Sequence, residues 1–132
     1  ITRETNCMRY WPEEVGREQN YGQCQVLTEE VRDCSPYKTR RLKLRHSSSK
    51  KERTLYHVQF TDWPDHKIPD DPTNFLEFLD QMESLRQLTN CGLAHGEEKP
   101  AVVVHCTAGV GRTGVIILTD LMIACIQNNQ KA

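Results

Sequence analysis

The chain has 132 residues, 17 Lys and Arg against 18 Asp and Glu, a formal net charge of −1 and 37% hydrophobic residues. That is the length of one domain or less. The near balance of charge excludes an overall pull toward nucleic acid, and no apolar run approaches the ~20 residues that a membrane-spanning helix needs. Six cysteines (7, 24, 34, 91, 106 and 125) include no Cys-x-x-Cys pair and no framework spacing. Free thiols in a reducing, cytoplasmic compartment are therefore expected rather than disulfides. The five histidines do not stand at ligand spacing to these cysteines, so neither a metal nor a cofactor is expected. The chain opens Ile1-Thr2-Arg3-Glu4, without an initiator Met or a signal pattern. It is expected to be a piece of something longer.

In chain order, Asn6-Cys7-Met8-Arg9-Tyr10-Trp11-Pro12 reads as the buried aromatic end of a strand. Tyr21–Thr28, Tyr37–Arg45 and Leu55–Phe60 alternate apolar and polar residues and predict strands, with Tyr56, Val58 and Phe60 sharing one face. His46-Ser47-Ser48-Ser49-Lys50-Lys51-Glu52 is a polar turn between two of them. From Lys38 to Arg53 there are eight basic residues and one acidic, so this stretch carries +7 and the remainder −8. Two accounts stand: a solvated antiparallel hairpin, or a patch making weak contact with anionic surfaces such as acidic substrates or lipid.

Asp62-Trp63-Pro64-Asp65-His66 follows as a stiffened loop, in which Asp65 after Pro is by itself ordinary turn chemistry. Asp71-Pro72 places an N-cap and a first-turn proline, and Phe75, Phe78, Leu79, Met82 and Leu85 recur at helical spacing to about Leu88. Residues 89–100 form a loop. Val102-Val103-Val104 reads as a buried strand that ends on His105-Cys106. A glycine-bearing loop follows, then an apolar helix from Val115 to about Gln127 that must be covered on most sides.

That strand, loop and helix start make an anion site. Successive backbone N–H groups and the unpaired N–H groups of a first helical turn face inward. Gly109 and Gly111 let the backbone curl closely, and Arg112 offers a planar fork for two phosphate oxygens. A thiol in such a place falls from ~8.5 to roughly 3.5–7.5, so Cys106 is expected to be an ionised nucleophile aimed at phosphorus. Thr113 supplies a hydroxyl that can hydrogen-bond the sulfur and ease its later departure.

The stretch Val104-His105-Cys106-Thr107-Ala108-Gly109-Val110-Gly111-Arg112-Thr113-Gly114 closely resembles the signature loop of the tyrosine-specific protein phosphatases. Cys-x-x-Tyr-Trp-Pro at Cys7–Pro12 and Trp-Pro-Asp at residues 63–65 are similar to two further motifs of that family. Thr107 departs from the family's usual serine and Lys67 from its usual glycine; the latter puts loop closure in question but not the chemistry. The resemblance is strongest to non-receptor members that carry a FERM module.

The resemblance implies an α/β (α+β) fold with a highly twisted mixed sheet flanked by helices, of which residues 1–132 are a partial catalytic domain, incomplete at both ends. It implies hydrolysis of phosphotyrosine in proteins through a cysteinyl-phosphate on Cys106. Asp65 is then the general acid on a closing loop, Arg112 and the N–H groups of Thr107, Ala108, Gly109, Val110, Gly111 and Arg112 hold the phosphate, and His105 tunes the thiolate. Phosphotyrosine-containing proteins are the implied partners, and nucleic acid and stable membrane insertion are not. The alternative is a catalytically silent phosphotyrosine-binding or scaffold domain, against which stand the retained Asp65 and Arg112. A disulfide-linked extracellular module is disfavoured by the missing signal, and dual-specificity or lipid phosphatases by the Trp-Pro-Asp and Tyr-Trp-Pro context.

Overall fold

A computed structural model describes residues 7–64 and 67–130, so Asp65 and His66 lie outside the described residues. The chain divides into two compact units, Arg9–Met82 and Ile1–Met8 with Glu83–Ala132. The first holds four strands, β1 (Glu18–Tyr21), β2 (Cys24–Asp33), β3 (Tyr37–His46) and β4 (Glu52–Phe60), paired in sequence order. Two helices follow: α1 (Pro72–Cys91), through which the division between units runs, and α2 (Arg112–Gln130) in the second unit.

The expected α+β class stands, and every strand pairing is antiparallel. The mixed pairing that the resemblance implied does not form among the described residues. Val102–Val104, expected to be a buried strand, joins no sheet, and Val102 and Val103 are 48% and 86% exposed. A β-branched run favours extended backbone, but a strand also needs a neighbouring ladder for its N–H and C=O groups, and none of the described strands supplies one. Tyr21–Thr28 is likewise two strands rather than one: Tyr21 pairs with Cys24 across a turn in which Gly22 takes φ +60°. Positive φ is cheap only for glycine, and that residue breaks the run. The strands at 37–46 and 52–60 and the turn between them form as expected.

The inner face of the sheet carries Val26, Thr28 and Leu42 against Trp11 and Pro12. Leu42 is 1% exposed and Thr28 fully buried, its hydroxyl donating to the Pro12 carbonyl at 2.5 Å. This bond ties the Trp-Pro segment to β2. On the other face Phe60 sits edge-on to Phe78 (5.4 Å), Trp63 (6.0 Å) and Phe75 (6.3 Å), while Tyr37 meets Phe78 at 6.2 Å. These edge contacts seat the first turns of α1. Asp71 caps that helix, its Oδ1 accepting from the Thr73 N–H at 2.8 Å, so the Asp-Pro start is realised as expected.

The basic stretch is mostly neutralised where it lies in strand. A bulge after Thr28 lets consecutive Glu29 and Glu30 both reach Arg41, at 3.1 and 3.3 Å; Glu29 also takes Lys43 at 3.1 Å. Lys38 pairs with Asp33 and Arg45 with Glu52. These pairs favour the solvated-hairpin account, although exposed pairs add little stability. Arg40 is different: only 7% exposed, it faces inward beside Trp11.

In the second unit, Arg86 bridges the helices, its Nη1 to Glu83 at 2.6 Å and Nη2 to Asp120 at 3.0 Å. α2 begins at Arg112, three residues earlier than its apolar pattern predicts, with the Gly111 carbonyl accepting its first helical bond from the Val115 N–H at 3.1 Å. Ile116 is buried, whereas Leu118, Leu121, Met122 and Ile126 are each more than half exposed. The helix that called for cover on most sides has it on one. Among the described residues no helix is long and apolar enough to cross a membrane.

Leu42→Ala is expected to lower unfolding stability by about 2–5 kcal/mol, because it opens a void beneath Trp11. Denaturant titration followed by Trp fluorescence measures it.

Candidate active site

The site is the turn from Cys106 into α2. Residues 101–111 form no regular structure, and the chain enters helix at Arg112. The bend is made at Gly109, whose φ is +74°, a conformation that costs a side-chain-bearing residue energy but glycine almost none. A Cβ at Gly109 or Gly111 would meet no protein atom within 4 Å. The glycine requirement is therefore backbone conformation at 109, while any crowding at 111 would come from a ligand rather than the protein.

This curl brings donors onto one sulfur. The Gly109 N–H donates to Cys106 Sγ at 3.2 Å, and the Thr113 hydroxyl at 3.1 Å. Thr113 is 8% exposed and is the second residue of α2, so its hydroxyl is held fast and its own N–H is one of the first-turn donors without a helical acceptor. Together they pull the Cys106 thiol to about 6. The Thr113 hydroxyl contributes most, followed by the Thr113 N–H; burial opposes them, and the Gly109 and Ala108 N–H groups assist. Hydrogen bonds to the charged form stabilise it, so the thiolate predominates at neutral pH and is lost as the pH falls through 6.

Of the other expected residues, Thr107, Ala108, Gly109, Val110 and Gly111 are all exposed, lining an open loop. Arg112 is half-buried at the first position of the helix. His105 places its Nδ1 3.3 Å from the Cys106 carbonyl oxygen. Asp65 falls outside the described residues. The Trp63 indole N–H donates to the Lys67 carbonyl at 2.8 Å.

Cys7 is the residue that the sequence reading assigned to structure alone. Its sulfur lies 3.8 Å from both the Cys106 carbonyl oxygen and Thr107 Oγ1. Nothing in a separation of 99 residues signals that proximity. All six cysteines are free thiols, as expected. Among the described residues no group of three or more His, Cys, Asp or Glu is arranged to hold a metal.

The site is thus a cysteine sulfur held in its ionised form by a hydroxyl and backbone amides at a helix start. Comparison with known proteins agrees: the protein-tyrosine phosphatase family model matches residues 2–132. The human tyrosine-protein phosphatase non-receptor type 14 is 45% identical over 130 residues, covering 96% of this chain and 11% of the relative. The rat non-receptor type 21 enzyme is 42% identical over 92% of the chain, and tyrosine-protein phosphatase 1 of Caenorhabditis elegans 35% over 94%, again 11% of each relative. The chain thus belongs to the protein-tyrosine phosphatase family, and it spans about one tenth of the length of these relatives.

Thr113→Val keeps the shape and the backbone N–H but deletes the hydroxyl. Alkylation of Cys106 against pH is expected to have its midpoint near 6 in the wild type and to move upward in the variant. An unmoved midpoint would remove the hydroxyl from the account.

Proposed function

We propose that the protein of which this chain forms part of the catalytic domain hydrolyses phosphotyrosine in proteins, and that Cys106 is its nucleophile. The observation carrying this reading is the sulfur held near pKa 6 by Thr113, Gly109 and Ala108. In the first step the Cys106 thiolate attacks phosphorus, forming an S–P bond as the P–O bond to the tyrosine ring breaks. Asp65, protonated, gives its proton to the departing phenolate oxygen. Arg112 and the N–H groups of residues 107–112 receive the equatorial oxygens, whose charge develops where donors already point. In the second step water attacks the cysteinyl-phosphate, Asp65 takes its proton, and inorganic phosphate leaves the thiolate. Thr113 stabilises that leaving sulfur, and His105 fixes the backbone beneath it. The chemistry is complete without a metal or cofactor.

Phosphotyrosine-containing proteins are the partners that this reading assigns. A cytoplasmic location goes with it, supported by six unpaired thiols and by the non-receptor names of the relatives. Any anionic-surface contact through Lys38–Arg53 reduces to Lys50, Lys51 and Arg53 at the hairpin tip, since the other exposed bases of the stretch hold carboxylates. At about 1 kcal/mol per base it is weak and salt-sensitive.

Turnover of a phosphotyrosyl peptide by the full-length protein tests the assignment. Cys106→Ser is expected to abolish it, because a serine hydroxyl stays protonated in the same cradle. Residual turnover at the wild-type level would overturn the nucleophile. Asp65→Ala is expected to reduce kcat by about 10²–10⁴ while leaving peptide binding intact. Peptide binding without turnover by the wild type would select the silent, phosphotyrosine-binding alternative instead.

A further inference from the structure

Arg40 is a cation only 7% exposed that makes no ion pair among the described residues. On β3 it sits two residues from Leu42, hence on the same inner face, directly opposite His57 of β4. Its guanidinium carbon lies 4.8 Å from the centroid of the Trp11 ring, and Nη1 reaches Gln59 Oε1 at 3.0 Å and His57 Nδ1 at 3.3 Å. Among the described residues only Nη1 of its three nitrogens is engaged in this way. The carboxylates whose fields reach Arg40, Glu13 and Asp33, are engaged elsewhere: Glu13 with Arg9 at 2.6 Å and Asp33 with Lys38 at 3.3 Å. Among the described residues the buried Trp11 indole N–H beside it is also without a partner. Arginine is almost never this deeply buried unless it is paired, because desolvating a cation costs several kcal/mol that only a counter-charge with well-aligned hydrogen bonds offsets. Burial here pushes the Arg40 pKa down, and the nearby Arg9 cation adds to that shift.

We propose that the Arg40–Trp11–His57–Gln59 cluster is a docking site for an Asp or Glu side chain carried on polypeptide outside residues 1–132, its carboxylate taken by the free edge of the Arg40 guanidinium. The fork geometry suits two carboxylate oxygens, and the Trp11 face holds the guanidinium plane in place to receive them. The relatives, of whose length this chain covers 11%, show how much further polypeptide can bring such a group. The site is independent of Cys106 and goes beyond the proposed activity.

Arg40→Lys in the full-length protein places an amine at this edge, which a zero-length carbodiimide joins to any carboxylate in contact. Peptide mapping is expected to find position 40 linked to an Asp or Glu outside residues 1–132. Lys38 and Asp33 serve as the internal control for the reagent. Linkage of position 40 to Glu13 or Asp33 alone, or none while the control link forms, would overturn the proposal. Arg40→Gln, which keeps a planar donor but no charge, gives a second reading by hydrogen exchange. One acidic segment outside residues 1–132 is expected to exchange roughly tenfold faster or more. Changes confined to β3, β4 and Tyr10–Trp11 would equally overturn it.

Discussion

The hydrogen bond from the Thr113 hydroxyl to the Cys106 sulfur is what the ionised state of this thiol depends on. It is short, it comes from a side chain buried at the start of α2, and it is the largest single influence on the thiol. A thiol at its ordinary value would be mostly protonated at neutral pH and a poor nucleophile. At about 6 it is mostly thiolate, yet still near enough to ambient pH to remain intrinsically reactive. The rest of the loop serves the same end. Gly109 permits the φ that turns two amides onto the sulfur, and the helix start contributes the Thr113 N–H.

The same local economy orders the sheet unit. Thr28 reaches across to the Pro12 carbonyl and fixes the Trp-Pro segment, and Trp11 then covers Leu42 and stacks on Arg40. Polar contacts inside this layer are therefore not decoration on an apolar core. They decide where Trp11 lies, and with it how Arg40 and His57 are held. The bulge at Glu29 has a matching role on the opposite face, where it gathers two carboxylates onto Arg41. Without the shift in register one of them would point away.

Arg40 shows the limit of counting charges along a strand. In the sequence it is one of eight bases in a stretch that reads as a solvated or surface-binding ribbon. In the fold its neighbours Lys38 and Arg41 find acids at the surface, while Arg40 itself occupies a place in the inner layer. Alternation alone assigned the faces; which face became interior depended on where Trp11 came to rest.

Sequence by itself determined what is local. The Asp71-Pro72 start of α1, the polar turn at 47–51 and the two long strands it joins follow from caps, turn residues and period-two patterning within a few positions. The conformation of the Cys106–Thr113 loop was also legible, because its cysteine, glycine turn and helix start are contiguous and its amides have few other ways to turn. Tertiary structure decided the rest. Whether Val102–Val104 ladders depends on a neighbour that no residue inside the run can provide. The turn at Gly22 depends on β1 finding β2, and the approach of Cys7 to Thr107 joins segments 100 residues apart. Such contacts are set by the packing of distant elements, whose energy is spread over many side chains and leaves no periodic mark on any one of them.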